Sequence, residues 1–188
     1  MSKRILLHIC CAPCSTHVVE VLKSDYELTG FFYNPNIHPE SEYLLREKEM
    51  ERYADEIGLD LVCAEYDPER WFELTKDMDN MPEGDKRCSV CYEMRLEKCA
   101  NYAKEHGYDI IATTLSISPH KNAEKINKVG SKVVNHNELQ FYEADFKKKG
   151  GSEKSLQMSK QFGLYRQSYC GCIFSKKEAD KRMSLKKK

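Results

Sequence analysis

Nine cysteines are spread over 188 residues, and seven of them fall into three tight groups. Cys10, Cys11 and Cys14 stand in RILLHICCAPCSTHVV, where an apolar run gives way to a helical pattern. Cys88 and Cys91 stand in KRCSVCYEMRL, at the start of another helical pattern. Cys170 and Cys172 stand in RQSYCGC, where Gly171 leaves the loop free to fold both thiols toward one point. Three chemistries use thiols in this way. A structural zinc site takes four ligands, which two pairs would supply, with three thiols left over. A dithiol redox enzyme needs one Cys-x-x-Cys near a helix start and leaves more over. An iron–sulfur cluster is usually held by four thiolates and leaves three for a neighbouring metal or for redox work. Adjacent cysteines project differently, so Cys10 and Cys11 can serve different centres. The other two, Cys99 on the apolar stripe of a helix and Cys63 inside a strand, read as small core residues.

Composition narrows the setting. Thirty basic residues cancel thirty acidic ones, so overall charge argues neither for nor against a polyanionic partner. Basic residues do cluster locally, in Lys147–Lys149, Lys176-Lys177, Lys181-Arg182 and Lys186–Lys188. These runs read as solvated surface or as a surface for polyanions. The first apolar run is too short for a signal peptide and no stretch reaches the length of a membrane span, so a cytoplasmic chain with reduced thiols and no membrane partner is expected.

The thiols need elements to position them. Five apolar stretches predict strands at Arg4–Ile9, Leu28–Tyr33, Leu59–Glu65, Asp109–Leu115 and Gln140–Ala144. Between them lie helical stripes: Val18, Val19 and Leu22, with Ser15 or Thr16 as cap; Tyr43, Met50, Ala54 and Ile57, closed by Gly58; and Trp71, Leu74, Thr75 and Met78 after Pro68. Two more follow, Tyr92, Leu96, Cys99 and Ala103 ending near Gly107, and Ile126, Val129 and Val133. Alternating strands and helices predict an α/β fold with a doubly wound parallel five-stranded sheet, in order 3-2-1-4-5. Strands one and four then meet at the switch point, where such folds bind ligands beyond the strand carboxyl ends. The loops CCAPC and SISPHKN should face each other there. Residues 1–188 read as a single domain, with a basic C-terminal helix and tail over about 176–188. Neither loop carries the glycines of a phosphate-binding motif, so no nucleotide is expected.

The motifs HICCAPC, FFYNPNIHPESEY, KRCSVCYEMRL, TTLSISPHKN and RQSYCGCIFS, in this order, resemble the QueH family of epoxyqueuosine reductases. The resemblance runs from about residue 4 to about residue 175. It implies a fold similar to the adenine-nucleotide-hydrolase-like (HUP-like) α/β proteins. It also implies reduction of the epoxide of epoxyqueuosine, at the tRNA wobble position, to queuosine. The cofactors implied are an iron–sulfur cluster, expected as [4Fe–4S], and an additional iron. The partners implied are a tRNA carrying epoxyqueuosine and an external electron donor. Some members carry an aspartate where this chain has Cys14, so mixed cysteine–aspartate ligation is not carried over. All seven grouped cysteines are the expected metal ligands. One split puts Cys10, Cys14, Cys88 and Cys91 on the cluster and Cys11, Cys170 and Cys172 at the second metal.

With that resemblance, Cys11, His120 and Lys121 become the catalytic candidates, the last two as proton donors or phosphate ligands from the loop after strand four. Lys86 and Arg87 precede Cys88 and share that choice. Arg166, Gln167 and Tyr169 are candidates to hold the modified base or an anticodon phosphate. Tyr33, Asn34 and Asn36 suit a flipped, single-stranded base, although a tyrosine at a strand end serves packing about as often. Tyr92 and His8 read as core, and His38 as the opening of the next helix. His17, His106 and His136 receive no role. Two other readings stay open: an ATP-dependent tRNA thiolation enzyme of similar fold, and a zinc-stabilised RNA-binding module without catalysis.

Overall fold

The structure is a computed structural model that describes residues 2–135 and 138–186, with the backbone alone for Lys186. His136 and the tail residues Lys187 and Lys188 lie outside the described residues. Strands β1 (Arg4–Ile9), β2 (Glu27–Phe32), β3 (Asp60–Cys63), β4 (Ile110–Thr113) and β5 (Gln140–Phe141) form one parallel sheet in the order β3-β2-β1-β4-β5. This is the predicted order, with β1 and β4 side by side at the centre. Ile5 to Ile9 are buried throughout, as expected of a central parallel strand covered on both faces. Alternation sends Ile5, Leu7 and Ile9 toward α1 (Ala12–Lys23) and α2 (Glu40–Ile57). It sends Leu6 to the opposite face, against α4 (Lys86–Glu105) and α5 (Ala123–Val134). The sheet is therefore doubly wound. Among the described residues no helix is long and apolar enough to cross a membrane.

Several local expectations need correction. β4 stops at Thr113, whose side chain accepts a hydrogen bond from the Leu115 amide, and the chain enters a short 3-10 turn over Thr114–Ile117. Ser15 and Thr16 do not cap α1. They lie inside its first turns and donate back to the Ala12 and Pro13 carbonyls, at 2.8 and 3.1 Å, while Cys11 holds the cap position in an extended conformation. Cys63 is exposed at the end of β3 and is not a core residue, whereas Cys99 is fully buried. The helix after Pro68, α3 (Pro68–Leu74), buries Trp71 but leaves Leu74 exposed and ends before Met78.

One helix gives no apolar signal. α6 (Gly151–Gln161) buries Gly151, Ser155 and Ser159, and packs on α1 through hydroxyls. The Ser155 hydroxyl donates to the Pro13 carbonyl at 2.7 Å. A Cβ at Gly151 would clash with the Phe146 carbonyl oxygen, so only glycine fits there. The contact face is made of small residues, which hydrophobic periodicity does not register. α7 (Ile173–Lys186) supplies the expected C-terminal helix, starting three residues earlier than predicted.

Candidate metal centre

The first thiol group is local. Cys10 follows β1, Cys11 caps α1, and Cys14 lies in its first turn. The three sulfurs lie within 4.8 Å of one another, with Cys10 and Cys11 3.9 Å apart. A helix N-terminus directs unpaired amides and positive dipole at such a group and favours thiolate. Thr114, from the turn after β4, accepts from the Cys10 amide at 3.1 Å and donates its hydroxyl to the Cys10 sulfur at 3.3 Å. Hydrogen bonds from Cys11 and Cys14, aided by the Lys121 charge and Thr114, hold Cys10 well below the usual thiol range despite its burial. The same sharing with Cys10, together with burial, pushes Cys11 up to about 12 and Cys14 well up.

The second group is assembled from distant segments. Cys88 and Cys91 lie one turn apart at the start of α4. Cys170 and Cys172 flank Gly171 just before α7. Cys172 packs with Cys91, Trp71 and Met94, and the fields of Cys170 and Cys172 reach both Cys88 and Cys91. Burial pushes Cys91 up to about 11, against the pull of Arg95. The loop that delivers Cys170 and Cys172 is pinned from α2 and the β2–α2 connection. Arg46 donates to the Cys170 and Tyr169 carbonyls at 2.9 and 3.2 Å, and pairs with Glu42 at 2.8 Å. The His38 amide donates to the Gly171 carbonyl at 2.9 Å, and the Tyr169 hydroxyl donates to the His38 carbonyl at 2.6 Å. Gly171 has φ 141°, and a Cβ there would lie 3.0 Å from Ile37. Cys10, Cys11 and Cys14 thus form one tight group, Cys91 packs with Cys172, Cys88 packs beside Cys10 against Tyr92 and Leu115, and Cys170 shares the cleft with Cys10 and Cys14.

A cleft of about 910 Å³ opens at the strand carboxyl ends and is lined by Cys10, Cys14 and Cys170. His120 and Lys121 line it from the β4 side, and Arg166, Gln167 and Tyr169 from the C-terminal side. Gln167 donates from Nε2 to the Cys11 sulfur at 2.9 Å, while its buried Oε1 has no partner. Arg166 reaches the Ser159 hydroxyl at 2.9 Å. The other candidates lie elsewhere. Tyr33 is buried in the core beside Leu6, Phe31 and Leu96. Asn34 is buried and donates to the Ile9 carbonyl at 2.9 Å, and Asn36 is buried beside Gly171. Arg87 holds the preceding loop through the Met78 and Met81 carbonyls, at 2.9 and 2.6 Å, and stacks over Phe174; Lys86 is exposed. A second groove of about 930 Å³ runs along α5 and shares Lys121, but no thiol lines it.

The donor set suits a metal–thiolate centre. Four of the seven sulfurs accept N–H or O–H hydrogen bonds from outside the thiol set: Cys10 from Thr114, Cys11 from Gln167, Cys88 from the Gly84 amide and Cys172 from the Ser175 amide. Such donors stabilise sulfur in its anionic, metal-binding form. Two cations, Arg95 and Lys121, face the sulfurs without a carboxylate partner among the described residues. Burial works against the Lys121 charge, but the Cys170 and Cys10 sulfurs outweigh it and raise its pKa. Negative charge on a metal–thiolate centre would compensate both. Arg95 and Arg46 had not stood out in the sequence. Arg95 was legible, one helical turn after Cys91 on the same face; Arg46 carries no local signal.

Comparison with known proteins places the chain. The family model for Epoxyqueuosine reductase QueH matches residues 5–178. Epoxyqueuosine reductase QueH of Acinetobacter baylyi is 41% identical over 184 residues, spanning 96% of this chain and 84% of the relative. That of Staphylococcus epidermidis is 42% identical over 180 residues, spanning 92% and 76%. That of Thermotoga maritima is 37% identical over 175 residues, spanning 91% and 89%. Among solved structures, the U34-tRNA thiolase NcsA from Methanococcus maripaludis with its [4Fe-4S] cluster superposes with a TM-score of 0.58 at 12% identity, over 99% of this chain and 67% of that one, a likeness of fold. With its order of thiol motifs, its sheet and its cleft, this chain belongs to the epoxyqueuosine reductase QueH family.

Proposed function

We propose that this chain reduces the epoxide of epoxyqueuosine, at the wobble position of a tRNA anticodon, to the cyclopentene of queuosine. The observation that supports the reading is the tight Cys10, Cys11 and Cys14 group at a cationic cleft that Cys170 also lines, in a chain of this family. Cys10, Cys11, Cys14, Cys88, Cys91, Cys170 and Cys172 would hold an iron–sulfur cluster, expected as [4Fe–4S], and an additional iron. When bound, these supply electrons one at a time and a Lewis-acidic position for the epoxide oxygen.

The protein's own residues supply the rest. Removing the oxygen takes two electrons and two protons and releases water. Lys121 keeps its proton beside the sulfurs, so it acts as a fixed positive charge where negative charge develops on the departing oxygen. His120, exposed at the rim, is the proton donor to test, since its side chain borders the cleft and imidazole can pass a proton to a departing oxygen. Gln167 holds Cys11 with its amide nitrogen and offers its free oxygen to an N–H of the modified base. Tyr169 has its hydroxyl engaged by His38 and forms a wall of the cleft. Arg166 and Arg182 are placed to meet anticodon phosphates, so salt should weaken tRNA binding steeply. The electrons come from an external donor, and the cytoplasm is where such a tRNA and reduced thiols coexist.

The test is anaerobic incubation of iron- and sulfide-reconstituted protein with epoxyqueuosine-containing tRNA and a reductant, followed by nucleoside mass spectrometry. Conversion to queuosine is expected, without ATP. ATP-dependent incorporation of sulfur, or no change in the nucleoside, would overturn the reading.

A further inference from the structure

The metal reading leaves one buried charge without a task. Arg95 is 2% exposed on α4. Its Nε donates to the Cys91 carbonyl at 3.0 Å and its Nη1 reaches the Asn34 side-chain oxygen at 3.4 Å. Its Nη2 is buried and has no partner. The residue lines the cleft together with Cys10 and Cys170, and the sulfurs nearest it electrostatically are those of Cys91, Cys170 and Cys10. It therefore stands at the cleft wall between thiols that come from three separate segments of the chain.

A guanidinium does not shed its proton, so Arg95 is charged in every state of the protein. A buried charge without a counter-ion is strongly unfavourable. No carboxylate pairs with Arg95 among the described residues. The sulfurs are the remaining source of negative charge. Lys121 faces the same cleft from a partly exposed position, whereas Arg95 is buried at its wall, so its field is less screened.

We infer that Arg95 is the fixed counter-charge of the metal centre, a positioning residue whose guanidinium favours the reduced state and raises the centre's reduction potential. Each electron added makes the centre more negative, and a fixed cation in a low-dielectric site stabilises the reduced form more than the oxidised one. The inference rests on the metal-dependent reading above.

The test compares the parent chain with Arg95→Gln and Arg95→Lys, each purified anaerobically and assayed for iron and sulfide. A dye-mediated potentiometric titration followed by electron paramagnetic resonance then reads the potential. Arg95→Gln should lower the equilibrium constant for one-electron reduction at least tenfold, a negative shift of ~59 mV. Arg95→Lys, which keeps the charge, should shift it less than half as far. A Gln variant with parental iron and parental potential overturns the inference, and so does a Lys variant that shifts as far as Gln. If the Gln variant loses its iron, retention by Lys supports the charge role and loss in both overturns it. A parent chain that binds no iron overturns both this and the reductase reading. A parent that binds iron but leaves the tRNA unchanged overturns the reductase reading alone, and the potential shift still decides this one.

Discussion

The two thiol groups are built in opposite ways. Cys10, Cys11 and Cys14 come from one turn of chain, and the end of β1 and the cap of α1 bring their sulfurs together with little outside help. Cys170 and Cys172 reach the α4 thiols from a distant loop that Arg46, His38 and Tyr169 hold in place, with Cys172 packed beside Cys91. A local group costs little conformational entropy to assemble, whereas a group closed by a long loop needs tertiary pins to offset that entropy. The first should therefore survive damage that dismantles the second.

The largest effects come from the ligands. Cys11→Ser and Cys91→Ser should each lower tRNA conversion by ~100-fold or more, since even outer-shell changes at metal sites cost up to that much. Iron analysis sharpens the comparison: the two variants should lose different shares of the iron, and equal loss would mean that the groups act as one centre.

Next is Arg46→Ala. It removes the guanidinium that holds the Cys170 loop and the partly buried Glu42, which keeps only the Tyr165 hydroxyl, at a cost of about 1.5–3 kcal/mol in urea unfolding. The second group should lose metal while the first keeps its own; a cost below about 1 kcal/mol would deny Arg46 the pinning role. Gly171→Ala should cost about 1–3 kcal/mol, because φ 141° strains a side chain and the new Cβ meets Ile37 and the Asn36 amide.

The support of the first group titrates. His8 is fully buried on β1, with its ring nitrogens on the Thr113 hydroxyl and the Tyr33 carbonyl. Burial, and then the Arg95 charge, lower its pKa from 6.5 to about 3. The folded state thus resists protonation that the unfolded chain accepts. Stability from His8 is complete above about 6.5 and is lost as pH falls toward 3, by up to about 1.4 kcal/mol per pH unit. Urea midpoints measured between about pH 7 and pH 5 should show this slope in the parent chain, and His8→Gln should flatten it.

The smallest effects lie on the RNA surface. Arg182, on the helix that follows the second group, has no ion pair among the described residues. Arg182→Glu should raise the Michaelis constant for tRNA several-fold. Lys147, in the loop before α6 and so behind the first group, is already paired with Asp145 at 2.7 Å. Lys147→Glu should change the constant less, and equal effects would move the tRNA path toward that side.

The same contrast explains what could be read in advance. β1 to β4 and the helices with apolar stripes were legible because parallel strands and amphipathic helices write their burial into residue type. The strand order was legible from the alternation of strands and helices together with right-handed crossovers. α6 was not legible, because its buried face is Gly151, Ser155 and Ser159. All seven grouped thiols stood out by spacing. What holds the Cys170 and Cys172 loop did not, since it depends on Arg46 reaching two carbonyls far along the chain. Tyr33, Asn34 and Asn36 show the limit of proximity in sequence: they end β2 near the site, yet burial commits them to the core and to backbone carbonyls.

The most direct test of the central claim is iron and acid-labile sulfide analysis of the anaerobically purified chain, with its visible spectrum before and after dithionite. The account predicts iron together with sulfide and a brown absorbance that bleaches on reduction. Zinc without sulfide, or thiols that are all free and metal-free, would contradict it.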